Sequence, residues 1–436
     1  MNFWTHEVPK PAWICIFWLA IILINIWAVK YWGEFEVVSS TIKFSWMIII
    51  IISLIGKSLF TFNIFVVYLL PTVVTAGGAP QGGAIGFRYW KAEPFTSDFK
   101  GFLSVFSSCV FAMAGMENTS FIAAEVSNPR KSVPRAVQSI WPRLTVFYVL
   151  GSLLVTLSVS PKDPSLFGGT GSNASPFVVA YRNAGIPTMA HITNAVILIS
   201  VISMGSISAY ASSRMLLGLS QLGMTPKVCA QFFFIKSVSE QSNQVFMQVF
   251  GKVDKTGRPW AGYILTLGIG GALAFMNVSY SGAQVFEWLS SLVSLQTLIG
   301  WGTICFANIR FRSAWKTQGR SMSELPWRSW TFPFATYWAL SWCILLLILE
   351  FYLSVWPFHQ PMSARNFFAR FISVIATLVV WVGAQIWYRC PLWLKSTDID
   401  LDEFRRFYGG HDDEESKLEG TRLGRLMRKG VAFVVD

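Results

Sequence analysis

Phe111-Ala112-Met113-Ala114-Gly115-Met116-Glu117 decides how this chain is read, because it sets a carboxylate beside a glycine inside an apolar run, residues 101–125. In lipid, a glutamate at mid-membrane depth is costly unless it faces a cavity or a partner, so it is a functional candidate by default. The small residues around Gly115 permit the helix to break. A break exposes backbone N–H and C=O groups that can hold the carboxylate and ammonium of a zwitterion. The alternative is a tightly packed helix crossing in which Glu117 bonds to a neighbour.

Composition makes lipid the solvent around that run. Of 436 residues, 53% are hydrophobic and 13% are charged, about half the charged share of an average soluble domain. The 20 Trp and 36 Phe suit a membrane protein, in which Trp also anchors helix ends at the headgroups. The net charge of +12 comes from basic residues set between apolar runs. That is the pattern of cytoplasmic loops, and no nucleic-acid partner is expected. Six cysteines and four histidines show no metal-ligand spacing, so neither metal nor cofactor is expected. The opening Met1-Asn2-Phe3-Trp4-Thr5-His6-Glu7 is polar and acidic, without a basic n-region. The first apolar run is therefore expected to stay in the protein as a membrane helix.

A spanning helix needs about 20 largely apolar residues. By that measure the chain is an all-α polytopic membrane protein with crossings near 12–29, 35–56, 101–125, 136–159, 188–222, 261–279, 284–308, 332–356 and 367–388. The fifth is expected to run past the membrane. The second adjoins another apolar run, Leu59 to Leu70, and one long or broken helix is favoured over two crossings. Residues 1–389 read as one membrane domain and 390–436 as a polar tail. Basic loops at 128–143, 227–258 and 310–328 alternate with poorer ones, which places the rich loops and the tail in the cytoplasm. Asn173-Ala174-Ser175 in a predicted outside loop matches the glycosylation pattern.

Several stretches then carry a resemblance. Asn25-Ile26-Trp27-Ala28-Val29-Lys30-Tyr31-Trp32-Gly33-Glu34-Phe35-Glu36 with Lys43 reads as a short corner, its carboxylates at a helix start and Lys43 pairing one turn on. Phe111 to Glu117 is followed by Ala123-Ala124-Glu125 and Asn128-Pro129-Arg130-Lys131-Ser132-Val133-Pro134-Arg135-Ala136. Met204-Gly205-Ser206-Ile207-Ser208-Ala209-Tyr210-Ala211-Ser212-Ser213-Arg214 precedes Gly223-Met224-Thr225-Pro226-Lys227. Asp254 to Pro259, Phe286 to Arg312 and Glu324-Leu325-Pro326-Trp327 continue in order. Together they resemble the fungal amino-acid permease family of the amino acid–polyamine–organocation superfamily.

The resemblance implies a leucine-transporter-type inverted-repeat fold, here family helices four to twelve, with the first three helices absent and the chain amino-terminally truncated. It implies substrate binding by Phe111, Ala112, Ala114, Gly115, Glu117, Ser206 and Tyr210, with protons as coupling ion and Glu117 as the link to them. The polar stripe of Ser206 and Tyr210 suits a helix lining a pathway, or equally one making interhelical hydrogen bonds. Arg214 is expected to anchor its helix and not to touch substrate. Lys57 to Pro71 and Cys229 to Met247 have no family equivalent and read as translated introns or as lineage-specific loops. The expected function is a secondary amino-acid transporter in the plasma membrane or an endomembrane. A non-transporting relic or interaction subunit is the alternative, and a membrane-embedded enzyme a distant one, since no His, Asp or Ser–Lys constellation is seen.

Overall fold

A computed structural model describes residues 8–27, 29–59, 87–92, 94–95, 97–119, 129–168, 175–221, 250–254, 257–279, 282–325, 329, 331–357, 363–389, 391 and 393–402. Most of both insert segments, the motif 120–128, Gly223 to Lys227, Asn173 and the tail beyond 402 lie outside them. Among the described residues the regular structure is helical throughout. The long helices are α1 (Lys10–Ile26), α2 (Val29–Leu59), α3 (Phe99–Met113), α4 (Pro129–Leu144), α5 (Gly151–Ser158), α6 (Pro187–Gln221), α7 (Trp260–Ala274), α8 (Gly282–Thr317), α9 (Phe334–Val355) and α10 (Ala364–Tyr388). A π-helical turn, Thr145–Leu150, joins α4 to α5.

Six stretches among these are long and apolar enough to cross a membrane: Val29–Leu54, Ser132–Ser158, Pro187–Gln221, Trp260–Val278, Gln284–Thr317 and Phe334–Val355. The other three expected crossings appear as shorter apolar helices, Lys10–Ile26, Phe99–Met113 and Arg370–Ile386. α6 has 35 residues, about 52 Å at helical rise against a hydrocarbon core of about 30 Å, so it does outrun the membrane.

Three boundaries differ from expectation for identifiable reasons. α1 is capped at Trp27 and α2 begins at Val29, so Glu34 and Glu36 lie within α2 and not at its start. Lys43 meets Glu36 seven residues away, with Nζ 3.1 Å from Oε1. α8 continues to Thr317, so Arg310, Arg312 and Lys316 ride on a helical extension instead of a loop. Finally, the run 101–125 is not one helix, since α3 stops at Met113.

The chain divides into two compact units: Met1–Thr96, Asn118–Glu125 and Ile140–Val285 form one, and Ser97–Glu117, Val126–Ser139 and Phe286–Asp436 the other. The first packs α2, α5 and α6 around Leu54, Leu154, Val178, Val179 and Met189, all buried. α7 crosses α6 closely at Gly262, where a Cβ would stand 3.0 Å from the Ser213 carbonyl oxygen. Only glycine allows the two backbones to approach so near. Asp254 and Arg258 form a 2.7 Å ion pair, and Arg258 also donates to the Ile26 carbonyl at the end of α1. Arg258 thus ties Asp254 to the end of α1 just ahead of α7. In the second unit, Trp315 at the end of α8 packs with Ala314 and Leu401.

Candidate functional site

The interruption in α3 is built by the residues that suggested it. Ala114 turns extended (φ −60°, ψ 147°), and Gly115 takes φ +99°, a left-handed region that a side chain disfavours. The backbone N–H of Gly115 faces the Glu117 carboxylate, 3.3 Å from Oε1 and 3.2 Å from Oε2. Trp301 Nε1, from α8, donates to Glu117 Oε2 at 3.2 Å. Glu117 is therefore half-buried and held by a neighbour while the helix around it is open. The helix break and the bond from a neighbouring helix are both present. Nothing in the apolar run around Trp301 marks it as a partner for Glu117.

Phe111, Ala112, Ala114, Gly115 and Glu117 thus gather at one helix end, in the second unit. Phe111 stands edge-on to Phe286 of α8, with ring centroids 5.6 Å apart. Ala112 is exposed and Ala114 half-buried. Short side chains at these positions leave the broken backbone reachable.

Ser206 and Tyr210 belong to the first unit, one turn apart on α6, and both are buried. Ser206 Oγ accepts from Asn25 Nδ2 at 3.1 Å and from Trp32 Nε1 at 2.9 Å. Tyr210 stacks on Trp32 with centroids 3.9 Å apart and planes 7° from parallel. Arg214 lies 3.6 Å from the centre of the Tyr210 ring and donates to the Tyr263 hydroxyl at 2.7 Å. Interhelical bonding is what the geometry displays for this stripe, and Arg214 does anchor α6 to α7. Neighbouring Ser203 donates to both oxygens of Glu36, at 2.8 and 2.7 Å. Asn25 and Trp32, which complete this cluster, lie in the quoted corner motif, where nothing in the local sequence marks them as polar partners of α6.

Among the described residues no group of three or more His, Cys, Asp or Glu is placed to hold a metal ion. What the break brings together is one backbone N–H, that of Gly115, and one carboxylate, that of Glu117.

Comparison with known proteins agrees in kind. The family model described as "Amino acid permease" matches residues 1–395. An amino-acid permease of Candida albicans is 34% identical over 409 residues, covering 93% of this chain and 60% of that protein. A general amino-acid permease of Saccharomyces cerevisiae is 35% identical over 417 residues, covering 93% and 63%. An uncharacterized amino-acid permease of Schizosaccharomyces pombe is 34% identical over 429 residues, covering 97% and 68%. The chain thus spans about three fifths of the length of the first two relatives. No solved structure matches it. These relatives are transporters and not enzymes, and the apolar helices make the chain an integral, multi-pass membrane protein. By a match that runs from residue 1 to 395, the chain belongs to the amino acid permease family.

Proposed function

We propose that the chain forms part of a secondary transporter that carries amino acids across the membrane, with Glu117 linking transport to protons. The observation that carries this reading is the Glu117 carboxylate accepting from the N–H of Gly115 at the helix break. A substrate carboxylate seeking the same donor must displace Glu117. Two anions cannot share one donor cheaply in a low dielectric, so the displaced carboxylate takes up a proton or turns to the substrate ammonium. Binding and protonation are coupled by that competition.

Ala112 and Ala114 keep the approach open, and Phe111 supplies an apolar wall. Ser206 and Tyr210 we assign to holding α6 in place, because their polar atoms and faces are already engaged by Asn25, Trp32 and Arg214. The plasma membrane with a cytoplasmic tail is the location we favour, from the alternation of basic loops. Uptake of labelled amino acids into liposomes holding the protein tests the proposal. Uptake should rise with an inwardly directed proton gradient, and Glu117→Gln should remove that dependence. An absence of amino-acid uptake at every pH would sink it.

A further inference from the structure

A polar cavity of about 390 Å³ lies wholly within the second unit, and of its lining only Phe111 and Phe286 enter the site described above. That volume is within the range of about 300–1,000 Å³ typical of small-molecule sites. Two helices line it at matched spacing. α3 contributes Ser104, Ser107, Ser108 and Phe111, and α8 contributes Glu287, Ser290, Ser291 and Ser294. Each set repeats at i, i+3, i+4 and i+7, which is one face of a helix. α9 adds Glu350 and Leu353, and α10 adds Arg370.

The hydroxyls in this wall have mostly spent their protons. Ser104 donates to the Gly101 carbonyl at 2.7 Å, while Ser290 and Ser291 donate to that of Glu287 at 3.1 and 2.8 Å. Ser294 donates to the carbonyls of Ser107 and Ser290, at 2.9 and 2.8 Å. A hydroxyl has one proton and two lone pairs, so these side chains present acceptors to the cavity. Glu350 is 7% exposed. Ser107 bonds its carboxylate, and among the described residues its Oε1 is buried with no hydrogen-bond partner.

Charge points the same way. Arg370 Nη2 is 2.8 Å from Glu287 Oε1 and its charge also acts on Glu350, so among the described residues of the lining one guanidinium serves two carboxylates. Lys100 of α3 lies over the Tyr352 ring at 6.0 Å. Ionised Glu287 and Glu350 against Arg370 leave the cavity one positive charge short. A buried charge must be paired, coordinated or neutralised.

We propose that this cavity binds a primary ammonium group, with Glu350 as its counter-ion and the serine oxygens as acceptors for its remaining N–H bonds. Three donors on one compact cation suit a wall of acceptors around one carboxylate. A proton on Glu350 is the competing occupant, since it also cancels the charge.

The protein in zwitterionic nanodiscs, titrated calorimetrically with n-butylammonium and with n-butanol, tests this. Binding of n-butylammonium alone is expected near neutral pH, weakening as acid supplies the competing proton. Glu350→Gln should weaken it at least tenfold, the order of a lost charge-assisted hydrogen bond of about 1.5–3 kcal/mol. Glu324→Gln, on the 3₁₀ turn Met322–Glu324 away from the cavity lining, should change nothing. Should Glu350→Gln fail to fold, carbodiimide labelling of the wild type gives the second measurement. Glu350 modification should be slowed several-fold by n-butylammonium and not by n-butanol. No binding by the wild type, undiminished binding by Glu350→Gln, or labelling indifferent to n-butylammonium would each overturn the proposal.

Discussion

Glu36, half-buried, and Glu350, buried, are carboxylates at helix contacts, one in each compact unit, and their surroundings differ in how many donors they offer. Glu36 receives Ser40, Lys43 and Ser203, with both oxygens engaged. Glu350 has Ser107 on its carboxylate and a bare Oε1. The first fastens α2 to α6 and has no vacancy for a solute. The second sits beside open volume with its acceptor capacity unspent. A buried carboxylate that is fully bonded is structural, because exchanging any partner exposes a charge. One left partly bonded keeps room for a partner that comes and goes.

The largest expected effect attacks the fastened unit where no side chain can yield. Gly262→Val would push a Cβ to 3.0 Å from the Ser213 carbonyl oxygen and 3.1 Å from its Cα. Overpacking against backbone costs on the order of 3 kcal/mol. The variant should elute as aggregate, or unfold well below wild type in a thermal scan of the detergent-solubilised protein.

Next in size is Lys43→Met, which leaves Glu36 charged with only hydroxyl donors. Side-chain exposures of 27% and 15% moderate the cost, which should be about 2 kcal/mol. Adding Glu36→Gln should restore part of the loss in a double-mutant cycle. Strict additivity would show that the pair fastens nothing.

The smallest effect on stability belongs to Glu350→Gln. The bare Oε1 has no bond to lose, and the amide can donate to serine oxygens, so unfolding should shift by less than about 0.5 kcal/mol. A loss as large as that of Lys43→Met would erase the contrast between the two carboxylates.

Much of this was legible in the sequence. Apolar length located the helices, and the Ala114-Gly115 pair marked where α3 stops. The corner was misplaced because Glu34 and Glu36 look like helix-start carboxylates, whereas α2 begins at Val29. Position along a helix is a local signal. The partner that Glu36 takes from α6, 167 residues away, is a tertiary fact. The serine faces of α3 and α8 repeat at helical spacing and could have been seen together. Glu350 interrupts the run Cys343 to Leu349, and a lone carboxylate in such a run is itself a signal. What the sequence could not supply is that these three features face one another.

α8 joins two places at opposite ends of one rod. Its 36 residues span about 54 Å, with Ser290 and Ser291 in the polar cavity near one end. At the other, Trp315 packs against Leu401, Gln318 bonds to the carbonyls of Ser396 and Ile399, and Arg320 pairs with Asp402. Residues 396–402 therefore grip the far end of the helix that walls the cavity. Any tilt of that helix needed to admit or release a solute must either drag this grip along or open it, which makes the start of the tail a brake on the rod.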